Sequence, residues 1–246
     1  MDKQLITKVC LLAGKVMLQS GAETYRIEDT MWRIAHAFGA ENAQVHATPT
    51  GLMFAINETE PTNFVRILER STDLHKVTEV NSISRSISNG NLTLEEARES
   101  LKEIDQEKLA YPRYVQIIAA ALASGCFAIM FQGQWTDFLP AVIAGGIGFS
   151  AMIYFHYIVK IRFFAEFLAS LIIGLVAFFF VRIEVGLEMD RIIIGAVMPL
   201  VPGLLITNAV RDLMAGHLVS GLSKGAESFL TAFAIGAGIA VVFFIV

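Results

Sequence analysis

Charged residues are scarce in this sequence. Asp, Glu, Lys and Arg make up 17% of its 246 residues, whereas 54% are hydrophobic, and that balance lies outside the range of ordinary soluble domains. The scarcity is uneven, because residues 1–113 carry most of the charges and residues 114–246 carry few. A polar first part and an apolar second part predict a soluble domain, residues 1–112, joined to a membrane domain, residues 113–246.

The sequence also has few of the features on which metal, redox or nucleotide chemistry depends. Its two cysteines, Cys10 and Cys126, lie in different parts of the chain and predict neither a disulfide nor a metal site. Three histidines, His36, His46 and His75, lack the spacing of metal ligands. There is no glycine-rich phosphate loop, and a net charge of −4 leaves no nucleic-acid footprint. We therefore expect no cofactor, no ATPase activity and no nucleic-acid partner.

Five apolar runs follow Pro112. Each has roughly 18–22 residues, which is enough for a helix to cross a hydrocarbon core of about 30 Å. They predict a multi-pass helical membrane domain. The predicted spans are residues 114–131, 138–159, 163–181, 192–210 and 226–246.

Lysine and arginine are divided unequally between the two sides of these spans. Seven fall on one side and two on the other, and the positive-inside rule makes the side with seven cytoplasmic. The N-terminus lacks a basic start followed by an apolar run, so no cleavable signal peptide is predicted. Both arguments place the N-terminal domain on the cytoplasmic side of the inner membrane and Val246 on the outside. The seven are Lys102, Lys108, Arg113, Lys160, Arg162, Arg211 and Lys224, and the two are Arg182 and Arg191.

The N-terminal part predicts a small α+β domain. A capping box of Ser20 with Glu23 is expected to open one helix, which Gly39 ends, and Thr93 with Glu96 is expected to cap another. Alternation of apolar and polar residues predicts three short strands between them. The other predicted helices are 4–19, 72–88 and 94–110, and the strands are 43–48, 51–57 and 63–69.

The stretch VMPLVPGLLITNAVRD, residues 197–212, predicts a broken membrane helix. Pro199 and Pro202 each remove a backbone donor, and Gly203 adds freedom. Broken helices at mid-bilayer are a recurring device of transporters, since the half-helix after the break offers its positive end to an anion. A proline kink with a positive-inside anchor at Arg211 explains the same residues and stays open. The predicted substrate-binding residues are Pro202, Gly203, Thr207, Asn208, Arg211 and Asp212.

Two further polar residues lie near the ends of predicted spans. Glu166 lies one turn inside the third span, where an ionised carboxylate is costly, so it is expected to pair with Arg162 or to carry a proton. His156 is a similar candidate for proton or ion coupling. Snorkelling of either side chain toward the membrane surface is the alternative.

Small residues recur four apart in two of the spans. Ala144 and Gly148 form one such stripe, and Ala232, Gly236 and Ala240 form another. Such stripes let helix backbones approach closely, either within the chain or at an interface with another subunit. The small number of spans favours an oligomer.

Two long stretches resemble a known family. SGAETYRIEDTMWRIAHAFG (20–39) with ATPTG (47–51) resembles the opening motif of the threonine/serine exporter family, and MPLVPGLLITNAVRDLMAGHLVSGLSKGAESFLTAFAIGAG (198–238) resembles its membrane signature. The resemblance implies a secondary exporter of small carboxylates or hydroxy amino acids, of the succinate or threonine/serine class. Single-chain members carry a second membrane half, so this chain is similar to the larger subunit of a two-component form. The resemblance then implies a separate small membrane subunit as partner.

Two rival functions remain open at this stage. One is a membrane-tethered, hydrolase-like enzyme with a soluble-domain cleft formed by Glu23, Arg26, Glu28, Asp29 and Thr48. The other is a scaffold that assembles a partner without transporting.

The charge bias generates a prediction about topology. Reporter fusions at residue 110 should be active in the cytoplasm, and fusions at residue 246 should be active outside, because five spans separate the two positions. A cytoplasmic C-terminus would show that one of the five spans is miscounted.

Overall fold

A computed structural model describes residues 2–107 and 111–245. Lys108 and Val246, which enter the topology prediction, lie outside the described residues. The chain forms two compact units. The first contains residues 1–109 together with 204–225, and the second contains residues 110–203 together with 226–246. The division of the chain at residue 112 into a cytoplasmic and a membrane domain stays a prediction, but the units show that residues 204–225 pack with the N-terminal part.

Four helices and a small sheet make up the N-terminal part of the first unit. Capping residues mark the starts of three of these helices. Asp2 and Asp73 each accept a backbone N–H bond there, and Thr93 and Glu96 form the predicted capping box. The apolar faces of the four helices build one core with the sheet, around Met17, Met31 and Leu101. The helices are α1 (Lys3–Gln19), α2 (Thr24–Ala37), α3 (Leu74–Ser88) and α4 (Leu94–Gln106).

The capping box predicted for Ser20 and Glu23 is wrong. Ser20 ends α1, where its backbone N–H donates to Val16, and the chain then turns at Gly21 with a φ of +82°. Glu23 is the N-cap of α2, but its side chain makes no capping bond. The left-handed turn separates the two helices, and the Glu23 carboxylate binds arginines instead.

The sheet is antiparallel, with strand order β1-β2-β3. All three predicted strands are present, with shorter ends, as β1 (Gln44–Thr48), β2 (Gly51–Ala55) and β3 (Asn63–Arg66). Leu52 and Phe54 on the central strand are fully buried, as the alternation predicts. The Thr48 hydroxyl donates to the Gly51 carbonyl across the first turn, at 3.1 Å, so its role in the structure is turn formation.

The remaining helices are apolar. Four are long and hydrophobic enough to cross a membrane, and a fifth span results if two helices separated by a short break count as one. The four are α5 (Arg113–Met130), α6 (Trp135–Val159), α7 (Arg162–Arg182) and α10 (Leu218–Ile245), and the interrupted pair is α8 (Met189–Val197) with α9 (Gly203–Met214). The protein is therefore mostly helical, with four or five candidate spans and a small N-terminal sheet.

The structure places the predicted break and corrects one span. A short 3-10 helix, Met198–Leu200, follows α8, and α9 begins anew at Gly203, so the interruption falls at the prolines as expected. Helix α10 begins at Leu218 and not near residue 226. Residues 218–225, which lie between the predicted fourth and fifth spans, therefore form the first turns of a helix.

Close helix contacts in the second unit depend on small residues. A methyl group added at Gly195 would lie 2.6 Å from the Ser124 carbonyl oxygen, and one added at Gly148 would collide with Ile173. Ala144 is fully buried, so the first predicted stripe serves internal packing. The residues of the other stripe, at positions 232, 236 and 240, are exposed on this chain.

A buried carboxylate organises one end of the second unit. Asp137, near the start of α6, is fully buried and accepts backbone N–H bonds from Gln134, Leu187 and Glu188 at 2.7–3.2 Å. A buried charge is tolerated when hydrogen bonds replace its water. Asp137 thereby ties the start of α6 to the loop that precedes α8.

Candidate functional site

The half-helix α9 carries four of the predicted site residues. Asn208 and Asp212, one turn apart, are buried, whereas Thr207 and Arg211 are exposed. The other two lie at the break, where Pro202 is buried and Gly203 begins the helix. The helix therefore presents one buried polar face and one exposed polar face.

Asp212 lies at the centre of a buried network. The Lys224 ammonium, on α10, donates to Asp212 Oδ2 at 2.7 Å, and Asp212 is fully buried while Lys224 is 4% exposed. Thr24 donates its backbone N–H to Oδ1 and its hydroxyl to Oδ2, both at 2.9 Å. A buried ion pair is tolerated only when its remaining polar atoms are also bonded. Asp212 meets that condition with three donors.

The network also caps α2. Thr24 is the first residue of α2, and its N–H is one of the donors that a helix leaves unpaired at its start. Because Glu23 provides no side-chain cap, the Asp212 carboxylate takes that role from a residue 188 positions away. A negative charge there also suits the positive end of the helix dipole.

Two more bonds hold the turn before α2. The Asn208 amide donates to the Gly21 carbonyl at 2.9 Å, and Lys224 lies 3.4 Å from the Ala22 carbonyl. Residues 21–24 are therefore bonded to α9 and to the start of α10 by backbone as well as side-chain groups.

Arg211 binds a carboxylate. Its guanidinium donates to Glu23 Oε1 at 2.5 Å, and Arg26 lies 3.6 Å from the other Glu23 oxygen. Burial raises the pKa of Glu23, but bonds from its own backbone N–H and from Arg211, with the charges of Arg26 and Arg211, outweigh burial and leave the pKa below its usual value. Glu23 is therefore ionised at neutral pH, while the Arg211 side chain remains 56% exposed.

A second set of contacts involves the strand that ends in ATPTG. Glu28 on α2 accepts the backbone N–H of Ala47 at 2.8 Å, and the Ser220 hydroxyl, on α10, lies 3.5 Å from the Ala47 carbonyl. His46 and His217 both lie within 3.8 Å of the same Glu28 oxygen. The β1 strand is thus bonded to α2 and to α10.

These contacts give the two neighbouring charges of α9 different partners. Asp212 does not neutralise Arg211, its neighbour in the chain, because Asp212 pairs with Lys224 and Arg211 with Glu23. Adjacent helical residues point in different directions, so each side chain meets a different element.

Glu166 lies in a separate polar cluster within the second unit. The predicted pair is present: Arg162 Nε donates to Glu166 Oε1 at 2.9 Å, and Arg162 also binds Glu227 on α10 at 2.9 Å. Glu166 Oε2 and the Thr231 hydroxyl are buried without a hydrogen-bond partner in the part of the chain that the structure describes. His156 is exposed near the end of α6.

The two unbonded oxygens belong to the same interface. Helices α7 and α10 run parallel there, since Arg162 binds Glu227 and, further along both helices, Ser170 lies against Gly238. Glu166 follows Arg162 by one turn, and Thr231 follows Glu227 by one turn. The two buried oxygens therefore lie at the same level of the interface.

The sequence analysis missed the roles of Thr24, Ser220 and Lys224. Lys224 counted only as a topology charge, because the segment before residue 226 was interpreted as a linker. A signal was present, since Asp212 and Lys224 are opposite charges separated by a mostly apolar segment. Their pairing depends on α10 beginning at Leu218.

The buried network joins the two stretches that carry the family resemblance. Gly21, Glu23, Thr24 and Ala47 belong to the first, and residues 208–224 belong to the second. A family model for threonine/serine exporters, ThrE, matches residues 8–246. The chain belongs to the ThrE threonine/serine exporter family.

Relatives of this chain have two lengths. The "Probable succinate transporter subunit YjjP" of Klebsiella aerogenes is 25% identical over 245 residues, which cover 97% of this chain and 93% of that protein. The "Probable threonine/serine exporter" of Mycobacterium tuberculosis is 25% identical over 224 residues, 89% of this chain but 42% of that protein. The "Threonine/serine exporter" of Corynebacterium glutamicum is 24% identical, with 92% and 48% covered. No solved structure matches the chain.

The residues of the rival enzyme hypothesis have other partners in the structure. Glu23 binds Arg211, Glu28 accepts from Ala47, and Asp29 pairs with Arg33 at 2.6 Å. The relatives are named as transporters.

The buried pair generates a prediction about stability. Lys224→Met should destabilise the protein by about 3–5 kcal/mol, because it leaves the Asp212 charge buried without its cation. The double variant Asp212→Asn with Lys224→Met should lose less, since the asparagine oxygen still accepts from Thr24. The measurement is thermal unfolding of the full chain in detergent.

Lys102→Met is the matched control. Lys102 pairs with Glu99 on the surface, where both side chains are more than a third exposed, so its loss should leave the stability nearly unchanged. Equal melting temperatures for Lys224→Met and Lys102→Met would contradict the structural role of the pair.

Proposed function

We propose that this chain is a subunit of a secondary exporter for small carboxylates or hydroxy amino acids, of the succinate or threonine/serine class. Family membership supports export, and the relatives' names supply the two substrate classes. Succinate, threonine and serine share a carboxylate, so the transport site must offer that group a positive partner when it leaves water.

The observation that carries the proposal is the pairing of Arg211 with Glu23. A carboxylate already occupies one side of the guanidinium, and the rest of the side chain is exposed. Arginine binds carboxylates through two parallel hydrogen bonds and keeps its charge. We assign substrate contact to Arg211, with Glu23 as the internal carboxylate that substrate displaces.

The other predicted site residues support Arg211. Asn208 and Asp212 are buried and bonded to residues 21–24, so we assign them to positioning α9. Pro202 and Gly203 lie at the interruption of the span, and α9 begins as a separate helix at Gly203. Thr207 is exposed one turn before Arg211 and is a second candidate for substrate contact.

We assign the coupling of export to Glu166. Its buried Oε2 lacks a donor in the described residues, and protonation would let it donate to an oxygen such as the Thr231 hydroxyl. Because an unbonded buried carboxylate oxygen is costly, uptake of a proton or cation lowers that cost. His156 is the second coupling candidate, since its exposed ring near the end of α6 allows proton exchange with water.

A separate small membrane subunit completes the proposal. The relative named as a subunit has a length close to that of this chain, whereas the chain spans less than half the length of the two relatives named as exporters. The name of the first relative supports a partner subunit. We place the assembly in the inner membrane as an oligomer, with the first unit in contact with the cytoplasm.

The partnership is tested by efflux. Cells producing this chain alone should retain preloaded succinate, threonine and serine, and cells that also produce the small subunit should export at least one of them. Intracellular and extracellular amounts over time are the measurement. Export by the purified chain alone in liposomes would contradict the two-component proposal, and unchanged export by the partner without this chain would favour a scaffold.

The same assay tests coupling. Glu166→Gln should make efflux insensitive to an imposed proton gradient, because glutamine cannot titrate. Glu41→Gln, at an exposed position of the first unit, is the control. A Glu166→Gln variant with normal gradient dependence would exclude Glu166 from coupling.

Arg211 generates a separate prediction. Arg211→Lys should lower the apparent affinity for internal substrate about tenfold or more. Lysine keeps the positive charge but cannot form the two parallel hydrogen bonds of a guanidinium group, and one hydrogen bond to a charged group contributes about 1.5–3 kcal/mol. Efflux rate against internal concentration, at matched membrane levels, is the measurement. Arg182→Lys, at the end of α7, is the control. If the efflux curves of both variants match the wild-type curve, Arg211 acts only as a positive-inside topology signal.

A charge swap separates substrate contact from a structural pair. If Arg211 acts only through Glu23, then Glu23→Arg combined with Arg211→Glu should restore export. We expect no restoration, because the swapped carboxylate repels the substrate. Recovery of wild-type curves would contradict substrate contact while leaving the network intact.

A further inference from the structure

A polar groove lies between α2 and α3 of the first unit, and Arg211 is not among its lining residues. Its volume is about 590 Å³, within the range of about 300–1,000 Å³ that small-molecule sites occupy. Three arginines line it, Arg26 and Arg33 from α2 and Arg85 from α3. We call this site the arginine groove.

The charges of the arginine groove are unbalanced. Three guanidinium groups face a single lining carboxylate, Asp29, which leaves a surplus of two positive charges (three minus one). Asp29 pairs with Arg33, and Arg26 lies near Glu23, but the Arg85 side chain makes no ion pair or hydrogen bond within residues 2–107 and 111–245. The surplus is local, since the whole chain carries a net charge of −4.

Helix periodicity explains the groove. Arg26 and Arg33 are two turns apart and share one face of α2. On α3, Thr78, Ser82 and Arg85 fall at positions i, i+4 and i+7, and so share the opposite wall. The walls therefore offer guanidinium forks and hydroxyl groups to the same space.

We propose that the arginine groove binds a small dianion whose charges lie on oxygen, such as a dicarboxylate or a phosphate group. Arginine forks match carboxylate and phosphate oxygens two at a time. Two negative charges balance the surplus, and the hydroxyls of Thr78 and Ser82 donate to remaining oxygens. Arg211 does not line the groove, although Arg26 and Arg211 share the Glu23 carboxylate, and the groove does not depend on the exporter proposal.

Binding to the full chain in phosphatidylcholine nanodiscs tests the site. Inorganic phosphate and succinate are the two dianion probes, and acetate is the monoanion control; the measurements are thermal shift and titration calorimetry. We expect saturable binding of at least one dianion, and about tenfold or greater weakening in Arg85→Gln, because a charge-assisted bond is lost. Phosphate binding alone identifies a phosphate ligand, and succinate binding alone identifies a dicarboxylate, and either result supports the site.

Two further variants make the test specific. Ser82→Glu adds a negative charge to the groove and should abolish binding, while Arg66→Gln, on the exposed β3 strand, should leave it unchanged. Each variant's melting temperature without ligand reports whether it is folded. The proposal is overturned if neither dianion binds, or if Arg85→Gln and Ser82→Glu bind as tightly as wild type.

The test also distinguishes this site from the proposed transport site. A succinate response that Arg211→Lys removes and Arg85→Gln preserves would overturn the groove and support the exporter. The reverse pattern would support the groove and leave the transport proposal to the efflux assays.

Discussion

The rest of the first unit depends on the burial of one negative charge. Asp212 has no exposure to solvent, and its carboxylate is held by Lys224 and by two donors of Thr24. Removing a carboxylate from water is costly unless such donors replace the water. Because the donors come from α2 and α10, α9 keeps its position only while both helices keep theirs. The bonds of this one carboxylate therefore tie the consecutive helices α9 and α10 to α2, whose Thr24 is 188 positions away from Asp212.

The burial of Asp212 also explains why the fourth predicted span is broken. A continuous helix from residue 189 to 214 would keep its direction, but the interruption after Leu200 lets α9 begin separately and pack in the first unit. The N-terminal residues are therefore part of the same compact unit as the half-helix that carries Arg211. For an exporter, such a unit would couple substrate contact at Arg211 directly to the position of α2 through Glu23 and Thr24.

Much of the fold follows from local patterns. Apolar run length predicts the membrane helices, alternation predicts the three strands, and Thr93 with Glu96 predicts the start of α4. Local patterns fail where a distant group competes for the same atoms. Glu23 has the spacing of a capping residue, but Arg211 and Arg26 bind its carboxylate and Asp212 takes its place at the α2 N-terminus. Helix α10 begins early for a similar reason, since Lys224 and Ser220 meet buried partners there.

The sequence by itself determined the family, the apolar helices and the position of the break, because each depends on residues that are close along the chain. Only the tertiary structure decided which partners Arg211 and Asp212 take. Neighbouring residues on a helix point in different directions, and their partners, Glu23 and Lys224, are 188 and 12 positions away. Pairing over such distances depends on how the helices pack, and that packing depends on how the apolar side chains of the whole unit are buried together.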